Sequence, residues 1–349
     1  MKMFDFIRPA SIDEAIAAWR PGAAWLGGGT NLVDLMKTGA AQPDRLIDLG
    51  RLPGLDRIET GAEGATRIGA RVGNADLARD ADFARRFPMV AEALLSGASG
   101  QLRNAATVAG NLMQRTRCPY FQNPETACNK RRPGTGCDAR GGVGDNYAVL
   151  GWSDDCIATH PSDFCVPLAA LDAVVEVIGP NGAREIAFAD FHHLPGTTPD
   201  RETALEPGEL ILALRLPAAA AEFAGHARYL KLRDRTSFAF ATVSAAAALK
   251  IEGGIITGAR LALGAVAAKP WRAAEAEALL TGHAPDAALF DRAAEAALSD
   301  AVPAHDNAWK IPIARRVAAR ALALAARGTP ARMPALPASV FAGEEPAHV

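Results

Sequence analysis

Apolar and polar positions alternate in short, distinct patterns over the first fifty residues. Ser11 is followed three residues later by Glu14, which predicts a capping box ahead of the helical pattern SIDEAIAAW. The stretch AAWLGGGTNLVDLMKTG then reads as a short strand, a glycine turn and a helix from about Asn31 closed by Gly39. DRLIDL is a second short strand. Together they predict a β-α-β unit of about fifty residues, too small to hold a core alone, so it must pack on the next part of the chain.

From TRIGARV onward, helical segments (NADLARDADFARRF, MVAEALLSG) lead into a polar loop, and then to strands DAVVEVIG and REIAFADF joined at Asn181-Gly182. Leu216-Pro217 and an alanine run break the pattern. RYLKLR, ATVSAAAALKI and IITGARLALGAV then read as antiparallel strands, the last two joined through Glu252-Gly253-Gly254. Three helical patterns close the chain. The expected partition is 1–55, 56–218, 219–328, and a proline-containing tail at 329–349.

A chain of 349 residues, 49% hydrophobic and 22% charged with a net charge of −2, is an ordinary globular composition with no bulk attraction to nucleic acid. No apolar run reaches the roughly 18 residues of a membrane span, and the N-terminal segment lacks the apolar core of a signal peptide. The chain is therefore expected to carry no export address of its own. Five cysteines are too few, and odd in number, for a disulfide framework. Four of them, Cys118, Cys128, Cys137 and Cys156, lie within about forty residues of loop-like sequence, where metal or cofactor chemistry is the better use.

The glycines of LGGGTNL sit between a strand and a helix start, where backbone N–H groups can hold a phosphate. The third position of the usual dinucleotide fingerprint is Leu32, so the turn alone is weak evidence. A second small-residue stretch, ASGQLRNAATVAGNL, permits close approach to a flat ligand or close packing between elements. These two stretches, followed in order by HPSDFCVPLAALDA and KLRDRTSFAFATVSAA, resemble the FAD-binding medium subunit of molybdenum hydroxylases over residues 1 to about 328.

The resemblance implies an α+β architecture: a vanillyl-alcohol-oxidase-like (PCMH-type) FAD-binding domain in two subdomains, the second with an insertion at about 116–158, then a C-terminal α+β domain. It implies that Leu26, Gly27, Gly28, Gly29, Thr30, Asn31 and Leu32 hold the FAD pyrophosphate. Thr107, Gly110, Asn111 and Leu112 would line the flavin or its ribityl chain, and Asp163 and Lys231 would contact the cofactor. Neither glycine motif offers a Cys or His for a covalent link, so FAD is expected to bind non-covalently.

Four thiols suit tetrahedral zinc or a [4Fe–4S] cluster. Nine, eight and eighteen residues separate them and no C-x-x-C occurs, which disfavours a zinc ribbon and leaves a zinc site open. Residues 101–140 contain seven Lys or Arg against two acids, and glycines at 134, 136, 141, 142 and 144 provide flexible backbone. Cationic, glycine-rich surroundings suit an anionic cluster. Within the family, RCPYF, CNKRRPGTGC and CIATHPSD look most like the FAD subunit of bacterial periplasmic-type aldehyde oxidoreductases, which implies a [4Fe–4S] cluster on Cys118, Cys128, Cys137 and Cys156. Cys165 reads as core, His160 as structural, and His192 and His193 as loop or strand-end residues.

The implied function is electron transfer in a heterotrimer. A large molybdopterin-binding subunit would oxidise an aldehyde, a small subunit would pass electrons through two [2Fe–2S] clusters, and this chain's FAD would deliver them to an external acceptor. The complex would be cytoplasmic, or periplasmic if a partner carries the signal. The alternatives are a flavoprotein subunit of a 4-hydroxybenzoyl-CoA reductase-like complex, and a cluster-bearing structural or nucleic-acid-binding module without flavin.

Overall fold

The computed structural model describes residues 1–144 and 146–332, so the tail expected from residue 329 lies, from residue 333 on, outside the described residues. The first sheet is parallel and ordered β1 (Asp5–Ile7), β3 (Arg45–Asp48), β2 (Ala23–Leu26), with helices α1 (Ile12–Ala18) and α2 (Leu32–Thr38) in the connections. Ser11 caps α1 by accepting from the Glu14 N–H at 3.2 Å. The Glu14 carboxylate reaches back to the N–H of Ala10 at 2.8 Å, one residue before the cap. Gly39 closes α2 with φ +81°, the left-handed conformation that favours glycine.

The second sheet is antiparallel: β4 (Ile58–Thr60), β5 (Thr66–Gly69), β8 (Leu210–Leu216), β6 (Val174–Gly179), β7 (Gly182–Ala187). Between β5 and β6 come α3 (Asn74–Arg79), α4 (Ala81–Arg86), α5 (Pro88–Ser96), α6 (Gly100–Ala105), α7 (Val108–Leu112), α8 (Pro119–Gln122) and α9 (Cys165–Ala170). The segment 74–87 is two helices rather than one, because Asp80 leaves helical conformation and caps α4 through the Phe83 N–H. The β6–β7 turn is Pro180-Asn181, with Gly182 (φ +97°) opening β7, one position earlier than the sequence suggested. REIAFADF leaves the strand at Ala187 for the short helix α10 (Phe188–Phe191).

The central strand β8 did not emerge from the sequence pattern. Leu210 faces the small core under the first sheet with Ala15, Ile47, Leu52 and Leu55, while Leu214 and Leu216 face the main core. This is how the β-α-β unit finds its partner surface. The Trp25 indole N–H fixes the docking by donating to the Glu209 carbonyl at 2.8 Å.

The third sheet, β12 (Trp271–Arg272), β11 (Ile255–Gly264), β10 (Val243–Glu252), β9 (Ala227–Leu232), is antiparallel and carries α11 (Ala274–Leu280), α12 (Ala287–Ala296) and α13 (Lys310–Ala326). In β10, Val243, Ala245, Ala247 and Leu249 enter the core under these helices, whereas Ala246 and Ala248 enter the main core of the preceding domain. A strand so rich in alanine persists because both faces are buried and small side chains let the two layers approach.

Candidate functional site

The glycine turn between β2 and α2 is pressed against the end of α6. A Cβ on Gly28 would lie 1.8 Å from the Ala105 carbonyl oxygen, and one on Gly27 would lie 2.8 Å from Thr107 Oγ1. The two small-residue motifs are therefore in contact with each other. Gly29 has φ +72°, so it too holds a conformation that other residues adopt at a cost. Asn31 Oδ1 accepts the Arg115 N–H at 2.9 Å, while its buried Nδ2 has no partner.

Two cavities of about 630 and about 520 Å³ flank this turn and share Gly29, Thr30 and Gly110. The smaller one is walled by the glycine turn, Asn31, Leu32 and Thr107. The larger one runs under Asn111 to Asp163 and Lys231. Leu26 and Leu112 line neither: Leu26 ends β2, and Leu112 is buried in the main core, its carbonyl accepting from His192 Nε2 at 2.9 Å. Asn74, which no sequence motif singles out, lines the larger cavity, is 5% exposed and has an unpartnered Oδ1. A Gly-Asn pair after a strand carries no local signal beyond a turn; burial alone marks it out.

At the far end of the larger cavity, Lys231 Nζ lies 2.8 Å from Asp163 Oδ2 and donates to the Ser96 carbonyl at 3.2 Å. The Tyr229 hydroxyl donates to Asp163 Oδ1 at 2.6 Å. Burial, reinforced by that carboxylate, holds the Tyr229 hydroxyl well above its ordinary range, so it remains a donor. Ser162, next to Asp163, donates to Asn111 Oδ1 at 2.7 Å, which joins the second and third motifs. At the cavity mouth the Arg117 guanidinium stands 4.7 Å over the half-exposed Phe240 ring.

Behind this site, Cys118, Cys128, Cys137 and Cys156 line one enclosed void, together with Lys130. Main-chain N–H groups point at their sulfurs: those of Tyr120 and Phe121 at Cys118, of Ala139, Arg140 and Ile157 at Cys137, and of Ala158 at Cys156. Donors two and three residues past a cysteine stabilise a thiolate. As free thiols, three of these groups are held up by burial, Cys118 to about 11. Among the described residues, the group of His, Cys, Asp or Glu ligand atoms lying within 4.8 Å of one another is His160, Cys165 and His192, and no three of the four sulfurs come so close. A single zinc ion with Zn–S of about 2.3 Å holds its sulfurs within about 4 Å of each other. The four sulfurs are spread too widely for one ion, and four thiols around one void are a donor set that fits a polynuclear cluster.

Cys165 opens α9 and is fully buried, its N–H donating to Ser162 Oγ at 3.2 Å. Burial pushes its thiol up to about 12. His160 and His192 stack edge to face at 4.4 Å; burial drives His192 down to about 4 and His160 well below its ordinary value.

Residues 2–219 match the family described as the FAD binding domain in molybdopterin dehydrogenase, and residues 228–325 match the CO dehydrogenase flavoprotein C-terminal domain. The chain is 49% identical over 326 residues to the aldehyde oxidoreductase FAD-binding subunit PaoB of Escherichia coli K12, covering 93% of this chain and 98% of the relative. It is 30% identical to the carbon monoxide dehydrogenase medium chain of Afipia carboxidovorans, over 87% of this chain and 88% of that one. Its fold aligns with a chain of carbon monoxide dehydrogenase from Hydrogenophaga pseudoflava at a TM-score of 0.73 and 28% identity, covering 94% and 99% of the two chains.

Proposed function

This chain belongs to the FAD-binding medium subunits of molybdenum hydroxylases, and on that premise we propose that it is the electron-exit subunit of a heterotrimeric aldehyde oxidoreductase holding non-covalent FAD and one [4Fe–4S] cluster. The observation that carries the flavin reading is the pair of cavities meeting at Gly29, Thr30 and Gly110. An extended dinucleotide with its pyrophosphate in the middle suits two cavities joined at a backbone turn.

In this reading the turn at Gly27–Leu32 binds the pyrophosphate, with the unpartnered Asn31 Nδ2 as a further donor. Asn74 and Asn111 present amides to the flavin half, and the Asp163–Lys231 pair fixes a buried charge pair at its far end. The four cysteines, with N–H groups directed at three of them, hold the cluster. When bound, these groups supply electron storage, FAD for two electrons in single steps and the cluster for one. The chain's residues position and tune them; no nucleophile or acid–base pair for an aldehyde is assigned to it.

Three separate sheets support the partition 1–55, 56–218 and 219–328, with 116–158 as the insertion. A large molybdopterin subunit and a small [2Fe–2S] subunit are the proposed partners, and an external acceptor takes the electrons. No helix among the described residues is long and apolar enough to cross a membrane. The likeness to the aldehyde oxidoreductase subunit favours aldehyde oxidation over acyl-CoA reduction.

The test is purification from the native cell under anaerobic conditions, with absorption spectra and iron, sulfide and flavin assays. Two unlike partners should copurify, acid should release FAD, and iron and sulfide should accompany it. Expressed alone, the chain should bind FAD without oxidising aldehydes. Robust aldehyde turnover by the isolated chain, or flavin retained in the acid pellet, would overturn the reading.

A further inference from the structure

Lys130, Arg131 and Arg132 follow Cys128 as one basic run, but their side chains part company. Arg132 is exposed. Arg131 clamps the loop, donating to the main-chain carbonyls of Tyr120 and Phe121 at 2.8 and 2.7 Å. Lys130 turns inward, is 6% exposed, and joins the four cysteines in lining their void. Its Nζ reaches Glu202 Oε1 at 2.9 Å and the Pro199 carbonyl at 3.0 Å.

Glu202 also pairs with Arg115, whose guanidinium lies 4.5 Å over Phe121 and donates to the Lys130 carbonyl at 3.2 Å. Lys130, Arg115 and Glu202 thus sum to one net positive charge on this side of the void, whose lining also includes Asp155, its carboxylate accepting from Asn129 Nδ2 at 2.9 Å. Burying an ammonium is costly unless something anionic compensates it. Glu202 is shared with Arg115, which leaves part of the Lys130 charge directed at the void.

We propose that Lys130 is a positioning residue that sets the reduction potential of the group held by Cys118, Cys128, Cys137 and Cys156, with Glu202 setting how much of its charge is felt. The proposal rests on the cluster reading of the proposed function. A cluster held there would be a one-electron couple with no bond or proton change, and the negative charge added on reduction would be stabilised by a cation in a low-dielectric setting.

The full chain, with whatever subunits copurify, is titrated anaerobically and followed by electron paramagnetic resonance, with iron and sulfide measured per flavin. Lys130→Met should shift the reduced-to-oxidised ratio at a fixed potential at least tenfold toward oxidised, about 59 mV for a one-electron couple. Glu202→Gln should shift it the opposite way, and Lys130→Arg should stay near wild type. A merely structural role would lower iron content in both variants without opposite shifts. Full iron with no shift in Lys130→Met, or a downward shift in Glu202→Gln, overturns the proposal. Should Lys130→Met lose its cluster, the direction of shift in Glu202→Gln decides alone. A wild-type chain free of iron and sulfide overturns the cluster reading and this proposal together.

Discussion

Gly28 and the Ala105 carbonyl occupy the same small space, with room for a hydrogen but not for a Cβ, which would sit 1.8 Å from the oxygen. Gly28 is therefore required by the apoprotein before any ligand arrives. Gly28→Ala should destabilise the FAD-depleted chain by several kcal/mol, on the order of other overpacking changes or more. Thermal unfolding without FAD checks this. Gly110→Ala, whose Cβ would meet Thr107 Oγ1 at 3.0 Å, should cost less stability while weakening FAD retention. Equal unfolding temperatures for wild type and Gly28→Ala would show that the two motifs do not pack against each other.

Lys231 and Asp163 form the one salt bridge shared by the third and fourth motifs, at 1% and 7% side-chain exposure. Lys231→Met leaves a buried carboxylate facing only the Tyr229 hydroxyl. The expected loss is about 3–5 kcal/mol. Adding Asp163→Asn should recover part of that loss, because the uncompensated charge is gone. Denaturant unfolding of the single and double variants measures the coupling, and strict additivity would mean that the two side chains do not stabilise each other.

The elements legible in the sequence were those with a capping or turn signal next to a clean period: Ser11 with α1, Gly39 with α2, and Gly253-Gly254 between β10 and β11. Strand β8 escaped because ELILALRL is buried on both faces and lacks the alternation of a half-buried strand. The site divides in the same way. Backbone-approach glycines and clustered thiols announce themselves by residue type. Asn74 and Glu202 are ordinary polar residues until tertiary packing buries the first and half-buries the second, and nothing local tells which cation of Lys130, Arg131 and Arg132 turns inward.

His192 donates through Nε2 to the Leu112 carbonyl, which leaves Nδ1 unprotonated in an enclosed site. Burial holds its pKa down at about 4, whereas the unfolded chain binds that proton near 6.5. A depressed pKa means the stability is complete above about pH 6.5 and falls as pH drops toward 4. The loss from His192 is about 3 kcal/mol at most. His192→Gln keeps a donor for Leu112 and should show a shallower loss between pH 7 and 4.5. An unchanged pH slope in that variant would contradict a neutral, buried His192.

The last prediction partitions the five cysteines. Cys118, Cys128, Cys137 and Cys156 share one void, with N–H donors aimed at three of their sulfurs, while Cys165 lies apart, fully buried between Ser162 and the main core. A thiol of this second kind is a small hydrophobe. Cys165→Ala should keep iron and sulfide per flavin at wild-type values, with a stability loss of about 1 kcal/mol or less from one missing sulfur. Ser at any of the other four should lower iron and sulfide, because a hydroxyl poorly replaces a soft thiolate ligand. Cys118→Ser should also disturb the flavin half, since Cys118 follows Arg117 at the cavity mouth. Iron, sulfide and flavin measured together across all five variants separate the two kinds. Cluster loss in Cys165→Ala, alongside full retention in one of the other four, would reassign the ligands.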